Sequence, residues 1–212
     1  MKSKNKKEIK GLIKQHIVRN SKEYIVFSIF FLIGIFLGVL FTNNMKEEQN
    51  AEITNYFSGF IEKLKNTENI DKEELLKTNL TQNLLLACLL WFFGTTVIGL
   101  PVVFGLVLYR GFCLGYTISV VINAFGIAKG IFFILISLLA QNIIFIPSII
   151  AIAVSGFKLY KSIIQDRRKE NIKLEIIRHT VFSLCMLVLL VISSLIDTYV
   201  STTLLKSTIK YF

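Results

Sequence analysis

Five long apolar runs, separated by charged segments, constrain this sequence more than any other feature. A helix needs about 20 mostly apolar residues to cross the hydrocarbon core of a bilayer, which is roughly 30 Å thick. The 212 residues are 53% hydrophobic, and a soluble domain of this length has no interior large enough for them. We therefore predict an all-α integral membrane protein, a single polytopic membrane domain over 1–212 with five transmembrane helices. The predicted spans are residues 24–41, 84–109, 112–128, 130–157 and 180–204.

The lysines and arginines predict how the chain is oriented. Eight lie in the N-terminal head, 1–23, and seven in the loop 158–179 between the last two spans. Five crossings place both segments on one side of the membrane, and cytoplasmic segments carry the excess of basic residues. The N-terminus is therefore predicted to be cytoplasmic and the C-terminus outside. Because this topology explains the net charge of +10, we expect the lipid bilayer, and no nucleic acid, to be the partner of the basic residues.

The basic head has its own apolar pattern. Ile9, Leu12, Ile13 and Ile17 recur at helical spacing, with lysines on the other face. The pattern favours an amphipathic helix on the inner leaflet, and a disordered basic arm is the alternative. No small-residue cleavage site follows the first apolar run, so we interpret that run as an uncleaved span.

The segment 42–82 is the only large region predicted outside the membrane, as a small helical loop. Apolar residues recur there at helical spacing, and Asp71 with Glu74 has the pattern of a capping box, so we predict two short helices. The apolar stripe packs on lipid headgroups or on the bundle, or it docks an extracytoplasmic partner. Its candidate docking residues are Ile53, Phe57, Phe60, Ile61 and Leu64.

The sequence contains no arrangement typical of catalysis or metal binding. His16 and His179 belong to no metal-binding motif, and the three cysteines lie in apolar runs without the spacing of a zinc site. Asp197 is the only acid within an apolar run, and it lies near the predicted outer interface. We expect no catalytic residues, no metal and no cofactor, and we expect that the protein is not an enzyme.

Two pairs of glycines have the spacing of helix-packing motifs. Gly34 and Gly38 lie in the first span, and Gly111 and Gly115 lie at the start of the third. Such pairs let helix backbones approach closely. They predict a compact bundle or a tight contact with another chain, so a homo-oligomer is an open alternative.

Two amides lie near the middle of the fourth apolar run. Exposure of Gln141 and Asn142 to lipid would be costly there. We expect both to form hydrogen bonds across the bundle, and a substrate site is the alternative.

The stretch WFFGTTVIGLPVVFGLVLYRGFCLGY, 91–116, combines helix breakers with a single charge. Gly99 and Pro101 predict a kink in the second span. Arg110 would cost about 2.5–3.5 kcal/mol at the membrane centre, so we place it at the cytoplasmic interface, within reach of lipid phosphates. With Gly111 it would form a hairpin turn, and 112–128 would be a short third helix or a re-entrant segment. An Arg110 that lines a polar cleft is the alternative.

The segment NLLLACLLWFFGTTVIGLPVVFGLVLYRGFCLGYTISVV, 83–121, resembles the core of the stage II sporulation protein M family. The order of head, glycine-bearing first span, outside loop and later spans is also similar. The resemblance implies a multi-pass protein in the mother-cell or septal membrane of a spore-forming Gram-positive bacterium. It implies a scaffold that holds two peptidoglycan-degrading enzymes, sporulation proteins D and P, during forespore engulfment.

A transport role is the second hypothesis. An amphipathic cytoplasmic head, broken helices and the amides of Gln141 and Asn142 are features that permeases share. The chain would then be a permease component that works with a separate ATPase.

Overall fold

The computed structural model describes residues 18, 20–66, 71–165 and 172–208. Within these residues all regular structure is helical, which confirms the predicted all-α class. The predicted helix of the head, with Ile9, Leu12, Ile13 and Ile17, lies outside the described residues. The helices are α1 (Ser21–Asn43), α2 (Glu47–Asn66), α3 (Lys72–Gly94), α4 (Leu100–Ser137), α5 (Leu139–Gln165), α6 (Ile172–Leu195) and α7 (Thr202–Thr208), with a π-helical turn (Ile196–Ser201) between α6 and α7.

Four segments of the described chain are long and apolar enough to cross a membrane. They are Ser21–Asn43, Leu100–Ser137, Leu139–Ile164 and Ile172–Ser207. The first and last contain the predicted spans 24–41 and 180–204. The other three predicted spans have different boundaries in the structure.

The first difference concerns Gly99 and Pro101. Helix α3 ends at Gly94, and residues 95–99 form a turn before α4 begins at Leu100. Pro101 lies in the first turn of α4, where the missing N–H leaves no intrahelical hydrogen bond unmade. The predicted kink within one helix, 84–109, was therefore wrong, because these residues separate two helices.

The second difference concerns the predicted hairpin at Arg110. Helix α4 continues through Arg110 and Gly111, so the hairpin was wrong and 112–128 is not a separate short helix. The chain reverses at Gly126, whose φ of 76° and ψ of 170° suit glycine because it has no Cβ. Beyond it, Gly130 lies against Ile122. A straight helix would hold these two residues about 12 Å apart.

Helices α1 and α4 run side by side in the same direction. Gly34 lies against Leu108, and Gly38, one turn later, lies against Phe112. The beginning of α1 also contacts the end of α5, since Lys161 Nζ lies 2.6 Å from Glu23 Oε1. Helix α5 therefore ends on the side of the bundle where α1 begins.

Helices α3 and α6 run in opposite directions and pack with α5. Trp91, near the end of α3, donates from Nε1 to Thr180 Oγ1 near the beginning of α6 (3.1 Å). Asn79, near the beginning of α3, contacts Asp197 beyond the end of α6. The apolar core lies between these helices and the α1–α4 pair. It includes Phe27, Ala87, Leu90, Val103, Val107, Phe145, Ile149, Ile152 and Leu190.

The N-terminus of α3 has the predicted cap. Asp71 Oδ1 accepts hydrogen bonds from the backbone N–H groups of Glu73 (3.0 Å) and Glu74 (3.1 Å). These bonds satisfy two of the free donors of the first helical turn. With α2 before it, the region 42–82 contains the two predicted helical segments.

Candidate functional site

Four buried glycines form the contact between α1 and α4, which we call the glycine seam: Gly34, Gly38, Gly111 and Gly115. A Cβ atom on any of them would overlap a backbone carbonyl oxygen of the other helix. The two GxxxG pairs therefore pack against each other within one chain. A homo-oligomer through a different surface stays a prediction.

The apolar stripe of α2 faces the bundle. Ile61 is buried, and it packs in a small cluster with Val121 and Phe133 of α4. The Phe57 ring lies 5.7 Å from that of Phe133 and 5.6 Å from that of Phe125, and both pairs meet edge to face. Two of the five candidate docking residues are thus occupied by contacts within the chain.

Of the three remaining residues of the stripe, the structure describes the side chain of Ile53. Ile53 is half-buried, and the side chains of Phe60 and Leu64 lie outside the described residues. Periodicity identified a face of α2, but α4 covers the part of that face that the structure describes.

Arg110 lies in the interior of α4 rather than at its end. Its guanidinium carbon lies 4.5 Å from the ring centroid of Phe145 on α5. Among the described residues no carboxylate forms an ion pair with it. An aromatic face attracts a guanidinium through its quadrupole, and this attraction is stronger where water is excluded.

Gln141 and Asn142 lie in the first turn of α5, and the structure gives them different roles from the predicted ones. Asn142 donates from Nδ2 to the carbonyl oxygen of Leu138, one turn earlier in the chain (2.8 Å). Ser193 of α6 donates to the backbone carbonyl oxygen of Gln141 (3.2 Å). The contact across the bundle is therefore made by the main chain of Gln141, and the amide of Asn142 is used locally.

A buried histidine joins three helices at one end of the bundle. His179 of α6 is 2% exposed, and its Nδ1 lies 2.9 Å from Ser155 Oγ of α5. Its Nε2 lies 3.4 Å from the carbonyl oxygen of Trp91 on α3. Beside it, Gly94 and Gly156 bring the backbones of α3 and α5 into contact. The sequence analysis found no metal-binding motif at His179 and did not predict this junction.

A second polar junction joins α3 to α6 near the opposite end. Asn79 donates from Nδ2 to Asp197 Oδ2 (2.7 Å), and Asn83 donates to Ser194 Oγ (2.7 Å). Asp197 lies in the π-helical turn, a distortion found often at functional sites. The signal for this junction was the spacing of four residues between the asparagines, which places them on one helical face.

These polar groups do not converge on one another. A buried apolar layer separates the two junctions: Ala87 in α3 and Leu190 in α6, with Ile149 and Ile152 of α5 in the same cluster. Within the described part of the chain, no three His, Cys, Asp or Glu side chains come together to hold a metal ion.

These features define a helical, multi-pass membrane protein whose helices are joined by backbone contacts and polar pairs. The sequence matches the family model described as stage II sporulation protein M over residues 27–202. Since the match covers most of the chain, the protein belongs to the stage II sporulation protein M family, as residues 83–121 predicted. No curated protein and no solved structure matches the chain significantly.

Proposed function

We propose that the protein is a membrane scaffold that holds peptidoglycan-degrading enzymes, sporulation proteins D and P, at the septal membrane during forespore engulfment. On this proposal it is not an enzyme itself. Family membership supports a sporulation role, and the finer assignment comes from what family resemblance implies together with the packing of the helices.

The observation that carries the proposal is the way α2 is attached. Phe57 and Ile61 hold one face of it on α4. Glu48, Glu52 and Tyr56, spaced four residues apart, form what we call the outer face of α2, and all three are exposed. Tyr56 is 81% exposed, and tyrosine is enriched where proteins bind one another. A polar face with an exposed aromatic ring, fixed to a rigid bundle, is suited to holding a protein partner.

The packing between α3, α5 and α6 favours a scaffold over a permease. A solute path along this interface would have to pass the apolar layer of Ala87, Leu90, Ile149, Ile152 and Leu190, and each of these is at most 3% exposed. The polar junctions lie on either side of this layer. They are better explained as interhelical hydrogen bonds, which replace the hydrophobic driving force that helices lack in lipid.

We propose further that α3 is the fifth membrane crossing. It is antiparallel to α6 and extends beside it from Asp197 to His179. With α3 included, the chain crosses five times, the turn 95–99 is cytoplasmic, and α2 is outside.

This topology predicts opposite labelling of two single cysteines. In a variant with Cys88, Cys113 and Cys185 replaced by alanine, Asn55→Cys should react with a membrane-impermeant maleimide added to protoplasts. Thr96→Cys should react only after permeabilisation. Both native side chains are exposed, so burial does not explain a difference. Labelling of both cysteines in unpermeabilised protoplasts would contradict the fifth crossing, and labelling of Thr96→Cys with protection of Asn55→Cys would contradict the orientation.

The docking proposal predicts different effects of two adjacent residues of α2. Tyr56→Ala should reduce recovery of the two hydrolases with tagged protein from sporulating membranes by about thirtyfold, the effect of losing an interface hot spot of about 2 kcal/mol. The level of the protein itself should not change, because Tyr56 packs on nothing in the bundle. Phe57→Ala should lower the stability of α2 on the bundle, seen as faster proteolysis between 44 and 71.

Two results would contradict the scaffold function. One is recovery of neither hydrolase with the unmodified protein, together with normal engulfment in a deletion strain. The other is ATP-dependent solute flux in vesicles that contain the protein and a partner ATPase, which would support the permease hypothesis instead.

A further inference from the structure

With the turn 95–99 at the cytoplasmic interface, as proposed above, Arg110 lies at the depth of the membrane centre. It follows the first residue of α4, Leu100, by ten residues, which is about 15 Å of helix and half of a roughly 30 Å hydrocarbon core. A second comparison gives the same depth. Gly111 lies against Phe31, which is near the midpoint of α1, Ser21–Asn43. At this depth the side chain cannot reach the phosphates of either leaflet without distorting the bilayer.

Among the described residues the guanidinium has no ion pair, and it lies over the face of Phe145. Arginine has five N–H donors, and carboxylates accept them in pairs. Charged residues within spans are rare because they are costly, and they mark functional sites when they occur. Arg110 therefore has binding capacity that the described chain does not use.

An apolar groove begins one helical turn beyond Arg110. Leu114 and Ile118 follow Arg110 on the same face of α4 at intervals of four residues, and they form one wall. The other walls include Ile134 of α4 beyond the reversal and Ile143 and Pro147 of α5. The groove has a volume of about 470 Å³, and Ile143 at its edge is 63% exposed. Its one polar lining residue, Asn142, donates its amide to the carbonyl oxygen of Leu138. The groove can receive a few apolar side chains from a helix that lies along α4.

We propose that this groove and Arg110 together bind a transmembrane helix of another protein, one that carries a carboxylate near the middle of its span. The apolar side chains of that helix fill the groove, and its carboxylate pairs with the guanidinium. The occupant must carry an anionic group within the membrane, because the guanidinium of Arg110 is positively charged. A lipid acyl chain would fill the groove but has no anionic group at this depth.

A second copy of the chain does not fit the site either. In the described part of the five spans the carboxylates are those of Glu23, Glu73, Glu74, Glu175 and Asp197. Glu73 and Glu74 lie in the first turn of α3. Glu23 lies in the first turn of α1 and Glu175 in the first turn of α6. Asp197 lies beyond the end of α6 and accepts from Asn79. None lies at the depth of Arg110, so the described chain does not supply the partner carboxylate.

This inference goes beyond the docking of hydrolases on the outer face of α2, and it does not depend on it. It concerns a different surface, inside the membrane, and its occupant is defined by chemistry alone. The test therefore uses synthetic helices and the full chain, with no hydrolase present.

The experiment measures binding of fluorescent transmembrane peptides to the labelled full-length protein in phosphatidylcholine vesicles by energy transfer. Three leucine- and alanine-rich peptides differ only in one residue: a central glutamate, a central glutamine, or a glutamate moved two turns toward one end. We expect the central-glutamate peptide to bind at least about tenfold more tightly than the glutamine peptide, as desolvated ion pairs do. The displaced glutamate should lose most of this preference.

Variants of the protein assign the preference to the site. Arg110→Leu should bind the glutamate and glutamine peptides equally, and it removes a charge from the membrane, so it should fold. Arg178→Leu, which removes an exposed arginine that pairs with Glu175 near the start of α6, is the matched control and should keep the preference. Ile118→Trp should weaken binding of both peptides by filling the groove. The proposal is overturned if the two peptides bind wild type equally, or if the preference survives in Arg110→Leu.

Discussion

Gly115→Leu is expected to prevent α1 and α4 from packing and to lower the stability of the protein by more than about 3 kcal/mol, the upper end of the range for overpacked cores. Even a Cβ at this position would overlap the carbonyl oxygen of Ile35 and approach the Cα and carbonyl carbon of that residue to 2.8 Å. These are backbone atoms of a regular helix, so no side-chain rotation can make room. The helices must separate along the whole glycine seam.

Gly105→Leu is the matched control on the same helix. A Cβ there meets nothing within 4 Å, and leucine has a higher helix propensity than glycine by roughly 0.5–1 kcal/mol. Unfolding of the two variants in mixed detergent micelles, followed by circular dichroism, compares them directly. Equal stability of Gly115→Leu and Gly105→Leu would show that α1 and α4 do not meet at the seam.

The seam shows what the sequence could predict about packing. Spacing alone pointed to Gly34, Gly38, Gly111 and Gly115 as positions of close approach, and the structure brings these four together. Spacing did not give their partners, because a GxxxG pair is equally suited to a helix of the same chain or of another one. The structure shows that the contact is within the chain, because α1 and α4 lie parallel with their glycines against each other.

The hairpin assigned to Arg110 was wrong for an energetic reason. The prediction assigned Arg110 the full cost of a charge that faces lipid at the membrane centre, and it therefore placed Arg110 at the interface. The lengths of the apolar runs then placed a turn beside it. In the structure the ring of Phe145 partly compensates that cost, so α4 continues. The true reversal, at Gly126, lies three residues before Lys129, the charge that separates the predicted spans 112–128 and 130–157. The sequence therefore marked a turn in this region but did not show that α4 runs up to it unbroken.

The polar contacts between helices depend on tertiary placement. Asn79 and Asn83 showed a spacing of four residues, but their partners, Asp197 and Ser194, are more than 100 residues away in the chain. Periodicity predicted the apolar face of α2 that carries Phe57. It did not predict that α4 packs on that face. Periodicity in a single sequence predicts which face of a helix is apolar. It does not predict which other helix packs on that face.

Phe27→Ala is expected to have the second large effect on stability, a loss of about 3–5 kcal/mol, as found when a fully buried phenylalanine is truncated. Phe27 of α1 has no exposed surface. Its ring is stacked on Phe104 of α4, with centroids 4.4 Å apart and planes at 13°, and it meets the edge of Phe157 of α5 at 6.1 Å. Alanine would leave a cavity where three helices meet, and in a membrane such contacts are the main force that holds helices together.

Phe36→Ala on the same helix separates packing from loss of hydrophobicity. Phe36 is 62% exposed on a helix that we place in the membrane, so its ring meets lipid, and its truncation should change stability by no more than about 0.5 kcal/mol. Both variants remove the same atoms from α1 and change its mean hydropathy equally. If α1 were held only by its insertion in the bilayer, the two variants would unfold at the same detergent concentration. A difference of several kcal/mol assigns the stability to the contact of Phe27 with Phe104 and Phe157.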